Sequence, residues 1–272
     1  MVSLFLAAAM CLFSHVSHVQ VEADVYSKTA ARWTEILTKR TDKGSVTLIK
    51  KLQIKDKLHK NGSRDYIVWI PEGAGSTCKT DEQTIGIVWF HGHTGFSERT
   101  FRERILKQFV PHMHKNFFIV IPEMPWSWNT STRTSRNGRI WQKPGEFTEF
   151  IERVKDDVAT MGINKIDWRV VGHSAGGSTI ATVGRTGDLC KLNPSRIVWS
   201  DSSYGYWMES ANSGCLQEYR TDAYVTHWAS KTNVAAFRFA KTKQGKNTTV
   251  HKSRLPHLKI GDNIVKLSGI LE

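Results

Sequence analysis

The segment Val170-Val171-Gly172-His173-Ser174-Ala175-Gly176-Gly177 constrains this chain more than any other. Ile166 to Val171 is a strand-like run, and Ser178 to Val183 continues as a short helix. Between them the backbone must bend sharply. Glycines stand where Cβ atoms would collide: Gly172 and Gly176 flank the bend, and Gly177 lets the helix approach the sheet. Ser174 is left at the apex of a strained, exposed turn. A serine hydroxyl is a poor nucleophile at neutral pH, so it reacts only where a histidine can take its proton and backbone N–H groups can receive an oxyanion.

The elements around this turn alternate. Val46 to Ile54 and Tyr66 to Ile70 read as an opening antiparallel pair, with Ile85 to Phe90 and Phe117 to Ile121 as short apolar runs of the kind buried in a parallel sheet. Phe101 to Val110 is helical in pattern, and Phe147, Phe150, Ile151, Val154, Val158 and Met161 recur at helical spacing. Beyond the turn, Arg196 to Ser200, Val234 to Phe239 and Ile264 to Ser268 read as further strands. Strand-helix-strand repetition predicts an α/β domain, a mostly parallel central sheet with helices on both faces. The 272 residues suffice for one such domain over residues 24–272.

On the turn and this order of elements, the chain resembles the α/β-hydrolase family over roughly Tyr66 to Phe239. The resemblance implies a serine hydrolase that cleaves a carboxylic ester, or less readily an amide, through an acyl-enzyme on Ser174, with no cofactor and no metal. It also implies an oxyanion hole. Trp89-Phe90-His91-Gly92-His93-Thr94-Gly95 follows the third strand, where the family's loop donates one backbone N–H, here near His93; the residue after the nucleophile, Ala175, donates the other. The side chains of His91 and His93 need not react, and no neighbouring Cys, Asp or Glu completes a metal-ligand set. Ile197-Val198-Trp199-Ser200-Asp201 ends a strand with a carboxylate at the sheet edge that lines the crevice, so Asp201 is the candidate acid that orients a histidine. The family more often carries its acid one strand later, but Ala240-Lys241-Thr242 offers none there.

Downstream of Asp201 stand His227, His251 and His257. The family's base lies after the last strand, and if that strand is Ile264 to Ser268 no histidine follows it before Glu272. His251 therefore ranks first, His257 beside Pro256 is a third option, and His227 sits in a Trp-flanked segment that reads as helix packing. The alternative to His251 is a base beyond Glu272, with the domain truncated at its C-terminus. The competing class is then a catalytically impaired scaffold that binds an anionic glycan or cell surface. Its binding element would be the long connection Pro122 to Phe147, with Trp126, Trp128 and Trp141 among Arg133, Arg136, Arg139 and Lys143. The same loop reads equally as a lid over an acyl pocket or as indoles packed on themselves.

Val2 to Val16 is apolar but too short to span a bilayer, and Val21-Glu22-Ala23 suits cleavage before Asp24. Residues 1–23 read as a signal peptide and the protein as secreted or periplasmic; an uncleaved anchor is the alternative, since no Lys or Arg precedes the apolar stretch. Loss of Cys11 with that segment leaves Cys78, Cys190 and Cys215. Cys190 and Cys215 could close a loop in an oxidising compartment, or all three could be free thiols. The net charge of +13 is spread thinly. Lys50, Lys51, Lys55, Lys57 and Lys60 alternate with Ile49, Leu52 and Ile54, as on the solvated face of a half-buried strand, so no nucleic-acid partner is expected. The expected partner is a small or polymer-linked ester, with a basic exterior suited to an anionic surface. Asn61, Asn129 and Asn247 head glycosylation sequons that matter only in a eukaryotic secretory pathway.

Overall fold

A computed structural model describes residues 34–41, 44–52, 65–71, 83–92, 97–124, 126–129, 134–137, 140–212, 219–227 and 230–272. The expected signal segment, His93, Arg133, Arg139, Asn61, Cys11, Cys78 and Cys215 lie outside them. Among the described residues the main sheet runs β1-β2-β3-β5-β4-β8-β9-β10-β11. These are Thr34–Thr41, Gly44–Leu52, Asp65–Pro71, Phe117–Pro122 (β5), Thr84–Phe90 (β4), Ile166–His173, Arg196–Ser200, Arg220–Thr226 and Thr248–Ser253. The hairpin β1-β2 and strand β3 join antiparallel, and β3 meets β5 antiparallel. From β5 to β11 every neighbouring pair is parallel. Strands β6 (Trp126–Asn129) and β7 (Thr134–Asn137) form a separate ribbon inside the long connection.

The central parallel strands β4 and β5 are buried on both faces, which is why their sequences read as apolar runs. Alternation then divides each strand between two cores. Phe118 and Val120 of β5, Val88 and Phe90 of β4 and Ile197 and Trp199 of β9 point to one face. Helices α1 (Glu146–Ala159), α2 (Gly176–Arg185), α4 (Trp207–Ala211) and α5 (Lys231–Ala240) cover that face. Phe117, Ile119, Ile87, Trp89 and Val198 point to the other, under a helical segment at residues 97–112 and the C-terminal helices α6 (His257–Asp262) and α7 (Ile264–Ser268). Short α3 (Asp188–Leu192) fixes the start of α1. Buried Asp188 accepts the N–H groups of Gly145 (2.7 Å) and Phe147 (3.1 Å), donors that have no acceptor within the helix itself.

Two expected strands are helices. Val234 to Phe239 lies in α5, where Thr232, Ala235, Ala236 and Phe239 are buried, a helical i, i+3, i+4, i+7 stripe, and Ser230 caps the N-terminus through the Asn233 N–H. Ile264 to Ser268 is α7, closed by Gly269 in the left-handed region at φ 59°. The strands that occupy their places, β10 and β11, carry little apolar signal. Strand β10 has buried Asp222 in its run, and β11 is the polar edge strand Thr-Thr-Val-His-Lys-Ser. His227 is not in a helix; it follows β10, its N–H donating to Ser253 O at 2.6 Å.

Trp141 anchors the long connection rather than lining a pocket. It is buried, with its ring 4.9 Å from Phe147 and 5.1 Å from Phe150. Cys190 is disulfide-bonded, to a partner outside the described residues. Among the described residues no helix is long and apolar enough to cross a membrane.

Candidate active site

Ser174 stands where β8 ends, in the left-handed region at φ 54°. Such a backbone costs a non-glycine residue about 1–3 kcal/mol and persists only where its surroundings enforce it. Here they do. The Ser174 N–H donates to Ser200 O of β9 at 3.2 Å, and the Ser174 carbonyl accepts the Gly177 N–H at 3.1 Å as α2 begins. A Cβ on Gly176 would lie 2.1 Å from Phe90 O, and one on Gly177 2.1 Å from Ser202 O, so neither position can carry a side chain. The Ala175 N–H opens the helix, among the donors that have no intrahelical acceptor.

The loop after β4 lies against this turn: a Cβ on Gly92 would be 3.2 Å from Ser174 Cβ. His91 is buried and used for structure. Its Nδ1–H donates to Gly92 O at 2.8 Å, and its Nε2 accepts the Met124 N–H at 3.1 Å, tying the ends of β4 and β5 together. His93 lies outside the described residues.

Asp201 follows β9 and is also in the left-handed region, at φ 46°. Its N–H continues the staircase of strand ends by donating to Tyr224 O of β10 at 2.7 Å. The carboxylate is buried and fully partnered. Oδ1 accepts the Thr232 hydroxyl from α5 and the Thr226 N–H at 3.4 Å. Oδ2 lies 2.7 Å from Nδ1 of His257, the first residue of α6. A carboxylate only accepts, so Nδ1 carries the hydrogen, and in the neutral ring the lone pair is on Nε2. The His257 side chain is one-third exposed at 33 %, whereas that of Asp201 is buried at 3 %.

The structure therefore separates His251 from Asp201. His251 lies on β11 beside Tyr224, its ring stacked 4.4 Å away, and its Nε2–H donates to Asp222 Oδ1 at 2.9 Å. Asp222 also accepts from buried Arg196 at 2.8 Å. Burial works to raise the Asp222 pKa, but the hydrogen bonds from His251 and Arg196 and the charges of Arg196 and Arg220 outweigh it, and the carboxyl ends below its usual range. This pair belongs to the body of the sheet, with Asp222 four residues before β10 ends at Thr226. The physical reason for the displacement is the strand assignment: the last strand is β11, and four residues after its end stands His257.

Two further side chains enter the site. His173 is fully buried and its ring stacks on His257 with centroids 5.0 Å apart. Burial foremost, then the charges of Arg104 and His257, holds its pKa well below the ordinary value, so it stays neutral and donates Nδ1–H to Ser200 O at 3.0 Å. Gly261 of α6 is pressed against the same ring, with a Cβ there falling 2.5 Å from Cε1. Tyr204, three residues past Asp201, lies beside the Ser174 side chain, and its ring meets that of His257 in an edge contact with centroids 6.5 Å apart. Sequence reasoning passed over Tyr204 and Thr232. Tyr204 had a signal in its closeness to Asp201 in the chain; Thr232 had none.

No family model and no characterised protein sequence matches the chain. The likeness to known proteins is structural. A ferulic acid esterase superposes with a TM-score of 0.56 at 12% identity, over 82% of this chain and 95% of its own. A fluorophosphonate-binding serine hydrolase of Staphylococcus aureus gives 0.54 at 10% identity, over 84% and 99%. An S-formylglutathione hydrolase of the same organism gives 0.53 at 12%, again over 84% and 99%. The fold is that of the α/β-hydrolases. In an α/β-hydrolase frame the chain order here is Ser174 after β8, Asp201 after β9 and His257 after β11, the last place being where the sequence resemblance puts a histidine.

Proposed function

We propose that this protein is a serine hydrolase that cleaves carboxylic esters through an acyl-enzyme, with Ser174 as nucleophile, His257 as base and Asp201 as the group that orients it. The observation that carries this reading is the 2.7 Å contact between His257 Nδ1 and Asp201 Oδ2 beside a strained serine turn. It leaves Nε2 free to take a proton. In the first step the Ser174 Oγ–C bond forms as its proton passes to His257 Nε2. The ester C–O bond then breaks as that proton passes to the departing oxygen, and water repeats the sequence to release the acid. The Ala175 N–H and one from the loop at Gly92 and His93 serve the oxyanion. Asp201 stays ionised, stabilising the imidazolium.

The pairing weakens the binding-scaffold reading, which rested on a missing base. Export is part of the proposal: a disulfide at Cys190 suits an oxidising compartment. The test is covalent labelling. A fluorophosphonate probe labels the protein at one site and Ser174→Ala abolishes the label while the circular dichroism spectrum is retained; undiminished labelling of the variant removes Ser174 from the mechanism.

A further inference from the structure

Tyr204 stands apart from the three groups above because it lies beside both of the side chains that exchange the proton. It neighbours the Ser174 side chain, and its ring meets that of His257 in an edge contact, 6.5 Å between centroids at 69°. Trp207 holds the other side of the ring in an edge contact at 5.3 Å. The following residues pin the loop: the Gly205 carbonyl accepts from Arg238, and that guanidinium lies 4.2 Å over the Tyr206 ring. The phenol is thus fixed on the His257 side of the nucleophile, whereas the Ala175 N–H lies on the elbow itself.

That side has a chemical meaning. The imidazole that takes the serine proton must hand it to the departing oxygen, so the leaving group leaves from the His257 side. A fixed O–H there meets the leaving oxygen, not the carbonyl oxygen held by backbone amides. Burial, and after it the Asp201 charge, raises the Tyr204 pKa, which keeps the phenol protonated and able to donate.

Building on the acyl-enzyme reading, we propose that Tyr204 is a catalytic residue of the leaving-group site, donating a hydrogen bond to the departing alkoxide oxygen while His257 delivers the proton. Tyr204 keeps its own proton throughout. The substrate class follows. Such a donor matters most for esters of aliphatic alcohols, whose alkoxides are poor leaving groups. It matters little for an activated phenol, or for a thioester, whose sulfur is a weak acceptor.

The experiment compares Tyr204→Phe with the parent on ethyl butanoate, p-nitrophenyl butanoate and S-ethyl thiobutanoate, with active sites titrated by fluorophosphonate. The expected result is a fall of about 100-fold in kcat/KM, which reads acylation and departure of the leaving group, on the ethyl ester, the scale of losing one preorganised donor, and less than about threefold on the other two, which form the same butanoyl-enzyme. Labelling by the probe, which expels fluoride, stays near the parent rate. Because the readout is a ratio between substrates on one titrated preparation, partial misfolding cancels, and Tyr204→Met serves if the Phe variant does not fold. An equal loss on all three substrates, or none on the ethyl ester, overturns the assignment. A parent that neither labels nor hydrolyses any of the three overturns the acyl-enzyme reading instead.

Discussion

Among the described residues two Asp–His pairs occur, and one of them stands beside the serine, so paired histidine substitutions give the sharpest test of the proposed mechanism. In His257→Ala the proposed acceptor of the serine proton is lost. Within a Ser-His-Asp unit that loss costs about 10⁴–10⁶ in kcat, or roughly 5–8 kcal/mol of transition-state stabilisation. The fold survives, because Asp201 keeps the Thr226 N–H and the Thr232 hydroxyl on Oδ1. Only the charge-assisted bond at Oδ2 goes, worth about 1.5–3 kcal/mol of stability. In His251→Ala the losses are reversed. Asp222 retains Arg196 at 2.8 Å and Arg220 at 3.3 Å, so the expected cost is about 1–2 kcal/mol of stability for one hydrogen bond and the stack on Tyr224. Turnover should stay within about threefold of the parent, since nothing in that pair meets the reacting atoms. Steady-state hydrolysis of p-nitrophenyl butanoate, with urea unfolding followed by circular dichroism, reads both quantities. The reasoning fails if His257→Ala keeps more than about a tenth of parental kcat, or if His251→Ala loses as much as His257→Ala.

Gly177→Ala places a methyl group 2.1 Å from the Ser202 carbonyl, backbone against backbone, so the variant should lose more than about 2 kcal/mol in urea unfolding and most of its fluorophosphonate labelling; parental values for both would contradict the tight elbow. The Asp222 pKa is depressed in the folded state, so its contribution is present above the unfolded pKa of about 3.9 and is lost as pH falls through the lower folded value. Urea midpoints should accordingly fall more steeply for the parent than for Asp222→Asn between about pH 5 and about pH 2, and parallel profiles would count against the ion cluster.

The nucleophile turn was legible because every interaction that makes it is local or glycine-dependent: a strand, a forced bend and a helix written in consecutive residues, ending in Ser174 at φ 54°. The buried strands β4, β5 and β9 were legible for a related reason, since burial on both faces leaves an apolar run. Asp201 could be placed at the sheet rim because it ends such a strand. The histidine that pairs with it could not. Strand β11 is a sheet edge with half-exposed, polar side chains, and α5 and α7 are short apolar helices that mimic strands, so the last strand was displaced toward the C-terminus and His257 with it.

From the residues alone, then, follow the α/β class, Ser174 at its turn and the Asp201 carboxylate at a strand end, all dictated by hydrophobic period and glycine sterics. Which histidine serves which aspartate was decided only in three dimensions. Asp201 and Asp222 both lie near the chain's later histidines. Register puts Asp222 within β10, level with Val198, and Asp201 just past the end of β9. A difference of a few residues along parallel strands moves a carboxylate from the body of the sheet to its rim, and the helix that brings His257 to that rim follows a strand with no apolar signature.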